Sequence, residues 1–269
     1  MHLSNPSAPF QGIPKEDVFF ASSDQYVQLG YGYLVLSIQP RLYPDRPLQI
    51  YFHIEAQPSA RSILLGALLG RTEQIRAMYP NLKGRIYAQL PADDWEMLNF
   101  YTSCGFVSDN AEEEHIFSIQ IDRAPSPPMG CQFASVPLQD VNQCNEFLAR
   151  LNSNRLSPIS MDYLTLHMQQ PYFMALGFYR GGQPLAEMIM SGSRQDASGL
   201  IMLYVQPEYR RRKLGITLVN SGCALLKAKG VSQCIAQIHS NNPAQVGLLK
   251  ALGASRRRVV SLLPGINIG

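Results

Sequence analysis

The stretch Leu203-Tyr204-Val205-Gln206-Pro207-Glu208-Tyr209-Arg210-Arg211-Arg212-Lys213-Leu214-Gly215-Ile216 joins an apolar run to a helical pattern and places four consecutive cations between them. Gly199 to Val205 reads as a strand. After Pro207 the spacing of Leu214, Leu218 and Leu225 is helical, and Lys227 and Lys229 before Gly230 suit a helix C-terminus. Gly215 then falls near the helix start, where backbone amides have no intrahelical partner and the dipole is positive. Arg210, Arg211, Arg212 and Lys213 oppose that dipole, a conflict that a bound anion removes. The segment therefore predicts a strand-to-helix junction that binds phosphate oxygens.

Upstream of it, Tyr172 to Tyr179 and Pro184 to Met190 read as strands joined through Gly181-Gly182, a pair that supplies the positive φ of a hairpin turn. Downstream, Gln233 to His239 reads as a buried strand. Asn242 with Pro243 fits an N-cap and first helical position for a helix ending at Gly253. The order is βββαβα. Two helices precede it, Gln139 to Asn152 and Ser160 to Gln169, the second with Ser160 as its cap.

A second copy of the pattern lies in the N-terminal half. At an offset of 149, Gln57-Pro58, Arg61, Leu65-Gly66 and Leu69 match Gln206-Pro207, Arg210, Leu214-Gly215 and Leu218, six identities in thirteen positions. At an offset of 148, Ala88-Gln89-Leu90 falls on Ala236-Gln237-Ile238, Asp94 on Asn242 and Gly105 on Gly253. Two blocks in the same order and at similar separation point to a duplicated unit. The N-terminal copy lacks an equivalent of the helical pair. Arg123 to Gly130 contains three prolines, which exclude helix and supply no strand donors. The expected division is 1–123, a linker over 124–130, and 131–269.

These motifs resemble those of the GNAT superfamily of N-acetyltransferases. Val205, Pro207, Arg210 and Gly215 match its pyrophosphate loop, and Ile238, Asn242 and Gly253 match its second signature. The resemblance covers most of residues 131–269 and implies an α/β (α+β) fold of two tandem GNAT-like domains. Each would have a mixed, mostly antiparallel central sheet flanked by helices. It also implies acetyl-CoA as donor, held by Leu203, Tyr204, Val205, Arg210, Arg211, Arg212, Lys213, Leu214, Gly215, Ile216 and Asn242, with direct attack by an amine and no metal. Lys213 stands where the family usually has its first glycine. Leu249 stands where many relatives have a tyrosine that protonates the departing thiolate. In the N-terminal copy, Tyr101 and Cys104-Gly105-Phe106 match the second signature, whereas Ser62-Ile63-Leu64-Leu65 is an apolar version of the loop. That copy is expected to be degenerate, its donor site vestigial.

Amine transfer needs the free base, and an alkylammonium has a pKa of about 10, so a positioned base assists. Glu187, the lone charge in its strand, and His239, after the buried strand, are the candidates. The alternative for Glu187 is a carboxylate partnered by a basic side chain. Two further function classes stay open: a non-catalytic acyl-CoA-binding sensor or scaffold, and a tandem transferase for a longer acyl or aminoacyl donor.

Composition bounds these readings. With 46% hydrophobic and 16% charged residues the chain is compact, and a net charge of +3 is too small to imply nucleic acid or a membrane as partner. No stretch approaches the roughly 18 apolar residues of a membrane helix, and no secretory leader is apparent, so a cytoplasmic protein is expected. Five scattered cysteines without C-x-x-C spacing argue for reduced thiols. The acceptor is expected to be a small-molecule or peptide amine, and a homodimer is compatible with the sequence.

Overall fold

A computed structural model describes residues 1–40, 43–153, 159–193 and 197–269. The chain forms two compact units, Met1–Asn110 with Ser261–Gly269 and Ala111–Val260. The proline-rich stretch 124–130, expected as a linker, lies inside the second unit. The divisions fall instead at 110/111 and 260/261, because chain segments on either side of that stretch pair in one sheet.

The first unit contains β1 (His2–Ser4), β2 (Val18–Ser22), β3 (Gln28–Ile38), β4 (Leu48–Ala56), α1 (Pro58–Met78), β5 (Gly84–Ala88), β6 (Leu90–Pro91) and α2 (Trp95–Ser103). The second contains β7 (Ala111–Ser118), β8 (Gln132–Ser135), α3 (Val141–Asn152), α4 (Met161–Met168), β9 (Met174–Arg180), β10 (Gln183–Ser191), β11 (Ala197–Val205), α5 (Leu214–Ala228), β12 (Gln233–His239), α6 (Pro243–Ala251) and β13 (Ser255–Leu262). The chain returns to the first unit at Ser261, near the end of β13, and finishes there as β14 (Gly265–Ile268).

The second unit's sheet runs β13-β7-β12-β11-β10-β9-β8. β11 and β12 are parallel, and the other registered pairs are antiparallel. Gly181 and Gly182 turn the β9–β10 hairpin with φ of 56° and 78°, the left-handed conformation that a two-residue turn needs. Alternation along the strands fills two layers. Leu176, Phe178, Met188 and Met190 pack with Leu214, Leu218 and Leu226 of α5. On the other face Ala175, Ile189 and Met202 pack with Phe147 and Leu151 of α3 and Leu164 of α4. Asp140, Ser160 and Asn242 cap α3, α4 and α6 through their side chains, as Asp94 caps α2.

β7 was not legible as a strand of this unit. Its residues Glu112 to Ser118 pair in unbroken register with His239 to Gln233. Its acidic run meets the basic run of β13: Arg256 bonds Glu113 at 3.0 Å, and Arg257 and Arg258 reach Glu114 at 3.3 and 3.1 Å. The cationic run at 256–258 is thus matched by carboxylates on the neighbouring strand.

The first unit's sheet runs β1-β2-β3-β4-β5-β14, with β4 and β5 parallel. Leu34, Ile50, Phe52 and Ile54 face Leu64, Leu68 and Ile75 of α1. The succession β4-α1-β5-α2 repeats as β11-α5-β12-α6 in the second unit, at the offsets found between the sequences. Between β1 and β2 there is only the short 3-10 turn Lys15–Asp17, where the second unit has α3 and α4.

Candidate functional site

β11 pairs with β12 only from Ala197↔Gln233 to Leu200↔Ala236, yet β11 continues to Val205 and β12 to His239. On its other edge β11 stays paired with β10 as far as Ala186↔Val205. The register there slips between Ile189↔Met202 and Met190↔Leu200, leaving Ile201 as an extra residue. Such a bulge bends its strand, and the two parallel strands part at this level. Leu203, Tyr204 and Val205 therefore carry a strand edge with no registered partner toward β12 among the described residues.

That edge leads into the junction. A 3-10 turn, Pro207–Tyr209, is followed by Arg210 in extended conformation, and α5 begins at Leu214. Arg211 and Lys213 have φ of 59° and 63°, a left-handed conformation that costs a non-glycine residue roughly 1–2 kcal/mol. Two such residues within three positions make the loop irregular, the kind of backbone from which anion sites are built. A glycine would be strain-free at either position.

α5 has no side-chain cap, a trait it shares with α1 and not with α2, α3, α4 and α6. The carbonyl of Lys213 accepts from both the amide and the hydroxyl of Thr217, at 3.0 and 2.9 Å, which closes the first turn. Gly215 lies against β11: a Cβ there would stand 3.2 Å from Leu203 Cδ2 and 3.5 Å from Val205 Cγ2. Arg210 Nε donates to the Val205 carbonyl at 3.2 Å, and Arg180 and Arg212 stand 5.8 and 5.5 Å from the centre of the Tyr209 ring. Leu203 to Val205 and Arg210 to Ile216 thus adjoin one another, forming an amide-rich cationic edge. An unsatisfied helix start, a close-packed Gly215 and surrounding arginines fit a pyrophosphate group.

Asn242 accepts from the amides of Ala244 and Gln245 at 3.1 and 3.2 Å, so its side-chain oxygen is engaged in capping α6. His239 ends β12, and its amide donates to Gln245 Oε1 at 2.9 Å. Glu187 is 0% exposed and held on three sides. Arg150 Nε and Nη2 donate to Oε2 and Oε1 at 2.6 and 3.0 Å, and the Tyr179 hydroxyl donates to Oε1 at 2.9 Å. Burial opposes the Arg150 charge, but the hydrogen bond and charge of Glu187 outweigh it and raise the guanidinium pKa. Burial, then the adjoining carboxylate, raises the Tyr179 phenol well above its usual value. Neither partner was named from sequence: Arg150 lies 37 residues away, and no local spacing points to it.

The corresponding part of the first unit is built differently. There α1 starts at Pro58 directly after β4, so residues 61–66, which align with the phosphate loop, are helical. Their amides fall into the helix ladder, and Leu64 and Leu65 are buried in its core. The β3–β4 register from Gly30↔Ala56 to Ile38↔Leu48 has no bulge. Arg61 repeats the Arg210 contact, donating to the Ala56 carbonyl at 3.3 Å, but also pairs with Glu96 at 2.7 Å.

Residues 142–254 match the acetyltransferase (GNAT) family model. No curated protein matches the chain. Among solved structures, a GCN5-related N-acetyltransferase from Sphaerobacter thermophilus is similar at 14% identity over 96% of this chain and 82% of that one, with a TM-score of 0.52. A conserved protein of unknown function from Enterococcus faecalis, described as a probable N-acyltransferase, aligns at 11% identity over 93% of this chain and 62% of that one, with a TM-score of 0.57. At these identities the structures show a shared fold, and the family match falls inside the unit in which β11 parts from β12. Over residues 142–254, all within the second unit, the chain is thus similar to the acetyltransferase (GNAT) family.

Proposed function

We propose that the chain moves an acetyl group from acetyl-CoA to an amine by direct attack, with the donor held by the second unit. The single observation that carries this reading is the parting of β11 from β12 beside an uncapped, arginine-flanked helix start. The amides of 211–216 would receive the pyrophosphate, with Arg210, Arg211, Arg212 and Lys213 supplying the opposite charge. The free edge of Leu203 to Val205 would align the donor's arm, and one amide there would polarise the thioester carbonyl. The thioester supplies the acyl group: a C–N bond forms as the C–S bond breaks, and the amine's proton passes to the thiol.

His239 and Glu187 are the proposed proton-handling residues. Glu187, locked by Arg150 and Tyr179, suits positioning of the acceptor face, which leaves His239 as the proposed base. The repeated β-α-β-α succession supports a tandem origin. The helical continuation over residues 61–66 supports loss of the donor site in the first unit.

A second reading is a non-catalytic acyl-CoA-binding protein. Leu249, buried where many relatives resembled by this sequence have an acid, and the threefold engagement of Glu187 favour it.

Calorimetric titration of acetyl-CoA into wild type, Gly215→Glu and Gly66→Glu, followed by thiol release with a panel of amines, tests the proposal. Binding that is lost in Gly215→Glu and kept in Gly66→Glu is expected, with turnover of at least one amine. Loss in Gly66→Glu alone overturns the choice of unit. Tight binding without thiol release from any amine selects the second reading.

A further inference from the structure

Among its described residues the first unit has no α3–α4 equivalent, and the face of its sheet opposite α1 carries a ladder of aromatic side chains. Tyr33 lies opposite His53 across β3 and β4, and Tyr51 lies opposite Tyr87 across β4 and β5. The Tyr33 and His53 rings stack with centroids 4.7 Å apart, and Tyr31 stacks on Tyr33 at 6.5 Å. All five side chains are half-buried.

One rung of the ladder is charged. Tyr31 faces Glu55, and its hydroxyl donates to Glu55 Oε2 at 2.5 Å. Glu55 occupies in β4 the place of Tyr204 in β11, and Tyr31 the place of Glu187 in β10, so the same rung holds a carboxylate and a phenol in both units. Their surroundings differ in one decisive respect. Glu187 is closed in by Arg150, whereas the Glu55 side chain is 70% exposed and meets no arginine or lysine among the described residues. Its basic neighbour is His53, 3.8 Å away, which burial holds below its ordinary pKa against the pull of Glu55. At neutral pH that histidine leaves the carboxylate uncompensated. Glu55 and Tyr31 also line a shallow depression with Gln28, Gly30 and Gln57, at the end of the strand pair.

An exposed carboxylate beside a cluster of electron-rich rings is the chemistry that receives an organic cation: the carboxylate takes the charge and the rings take the alkylammonium carbons. The helical run over residues 61–66 removes the amides that would favour an anion in the same region. From this we infer that the first unit is a binding site for an alkylammonium group, seated on Glu55, Tyr31, Tyr33 and His53. The site is separate from the proposed donor site, and its existence does not depend on that proposal.

The test is titration of the full chain with butylammonium, tetramethylammonium and, as the anionic counterpart, butyrate, followed by calorimetry and by tyrosine-ring NMR shifts. Wild type, Glu55→Gln, Tyr33→Leu, Gly215→Glu and the exposed control Glu73→Gln are compared. Saturable binding of one or both cations is expected, with butyrate inert. Glu55→Gln should weaken it about tenfold and Tyr33→Leu about threefold, as losses of a charge-assisted contact and of a cation–ring contact. Glu73→Gln and Gly215→Glu should bind as wild type, which separates this site from the donor site. Equal cation affinity in Glu55→Gln, equal binding of butyrate, or the absence of saturation with both cations overturns the proposal. Glu55→Gln changes an exposed side chain, and an unchanged unfolding temperature would confirm that it folds. If Tyr33→Leu does not fold, the Glu55 comparison alone decides.

Discussion

At the residue scale, Lys213 illustrates a local cost retained at the proposed binding edge. Its left-handed φ of 63° is unfavourable for a side-chain-bearing residue and free of strain for glycine. Lys213→Gly should therefore stabilise the folded chain by roughly 0.5–1 kcal/mol once the extra freedom of unfolded glycine is deducted. Thermal unfolding should show a rise of about 1–4 °C. Glu187 provides the converse case, a buried charge whose partner matters more than the pair itself. Arg150→Leu should cost about 2–3 kcal/mol, the low end for a buried pair because Arg150 is partly exposed. Adding Glu187→Leu should recover most of that loss, as measured by denaturant unfolding of the single and double variants. A double variant no more stable than Arg150→Leu would show that the network stabilises beyond satisfying one carboxylate.

At the scale of elements, the ladder on β3, β4 and β5 makes stability depend on alkaline pH. Tyr31 is pushed up to about 12 chiefly by its bond to Glu55, and Tyr51 and Tyr87 to about 12 chiefly by burial, against an ordinary 10. Each phenol holds its proton more tightly when folded. Its contribution is complete below about pH 10 and is lost as pH rises from 10 toward 12. Unfolding temperature should be flat up to that window and fall through it, in step with phenolate absorbance. Tyr31→Phe should remove its own share of the slope. The elements themselves were mostly legible in the sequence. The Gly181-Gly182 hairpin, the caps Ser160 and Asn242, and the strand 233–239 follow from local chemistry, which one segment carries alone. The bulge at Ile201, which opens the proposed donor edge, left no mark in the apolar run Leu200 to Val205. Nor did the change from loop to helix at 61–66: the alignment with the phosphate loop was visible, but the conformation depended on Leu64 and Leu65 finding a core.

At the scale of the whole molecule, the chain leaves the first unit at Asn110 and re-enters it at Ser261. Sequence composition marked 124–130 as the natural break, because prolines are a local signal and strand pairing across more than a hundred residues is not. The acidic run at 112–114 and the basic run at 256–258 were the one pairing signal available in the sequence. A fragment of residues 111–260 should fold and retain acetyl-CoA binding. Residues 131–269 should not, because they omit β7, which lies between β12 and β13. Circular dichroism and calorimetry of the two fragments check this, and cooperative unfolding of 131–269 with wild-type affinity would contradict it.

The return of β14 to the first sheet also sets a timetable for biosynthesis. A ribosome makes β5 early, and the segment that covers its outer edge emerges only after every residue of the second unit has been made. At roughly 5–20 residues per second, that edge waits on the order of ten seconds or more. The unit begun first is the one completed last, so during translation it is an open sheet edge, the part of the nascent chain most in need of a chaperone.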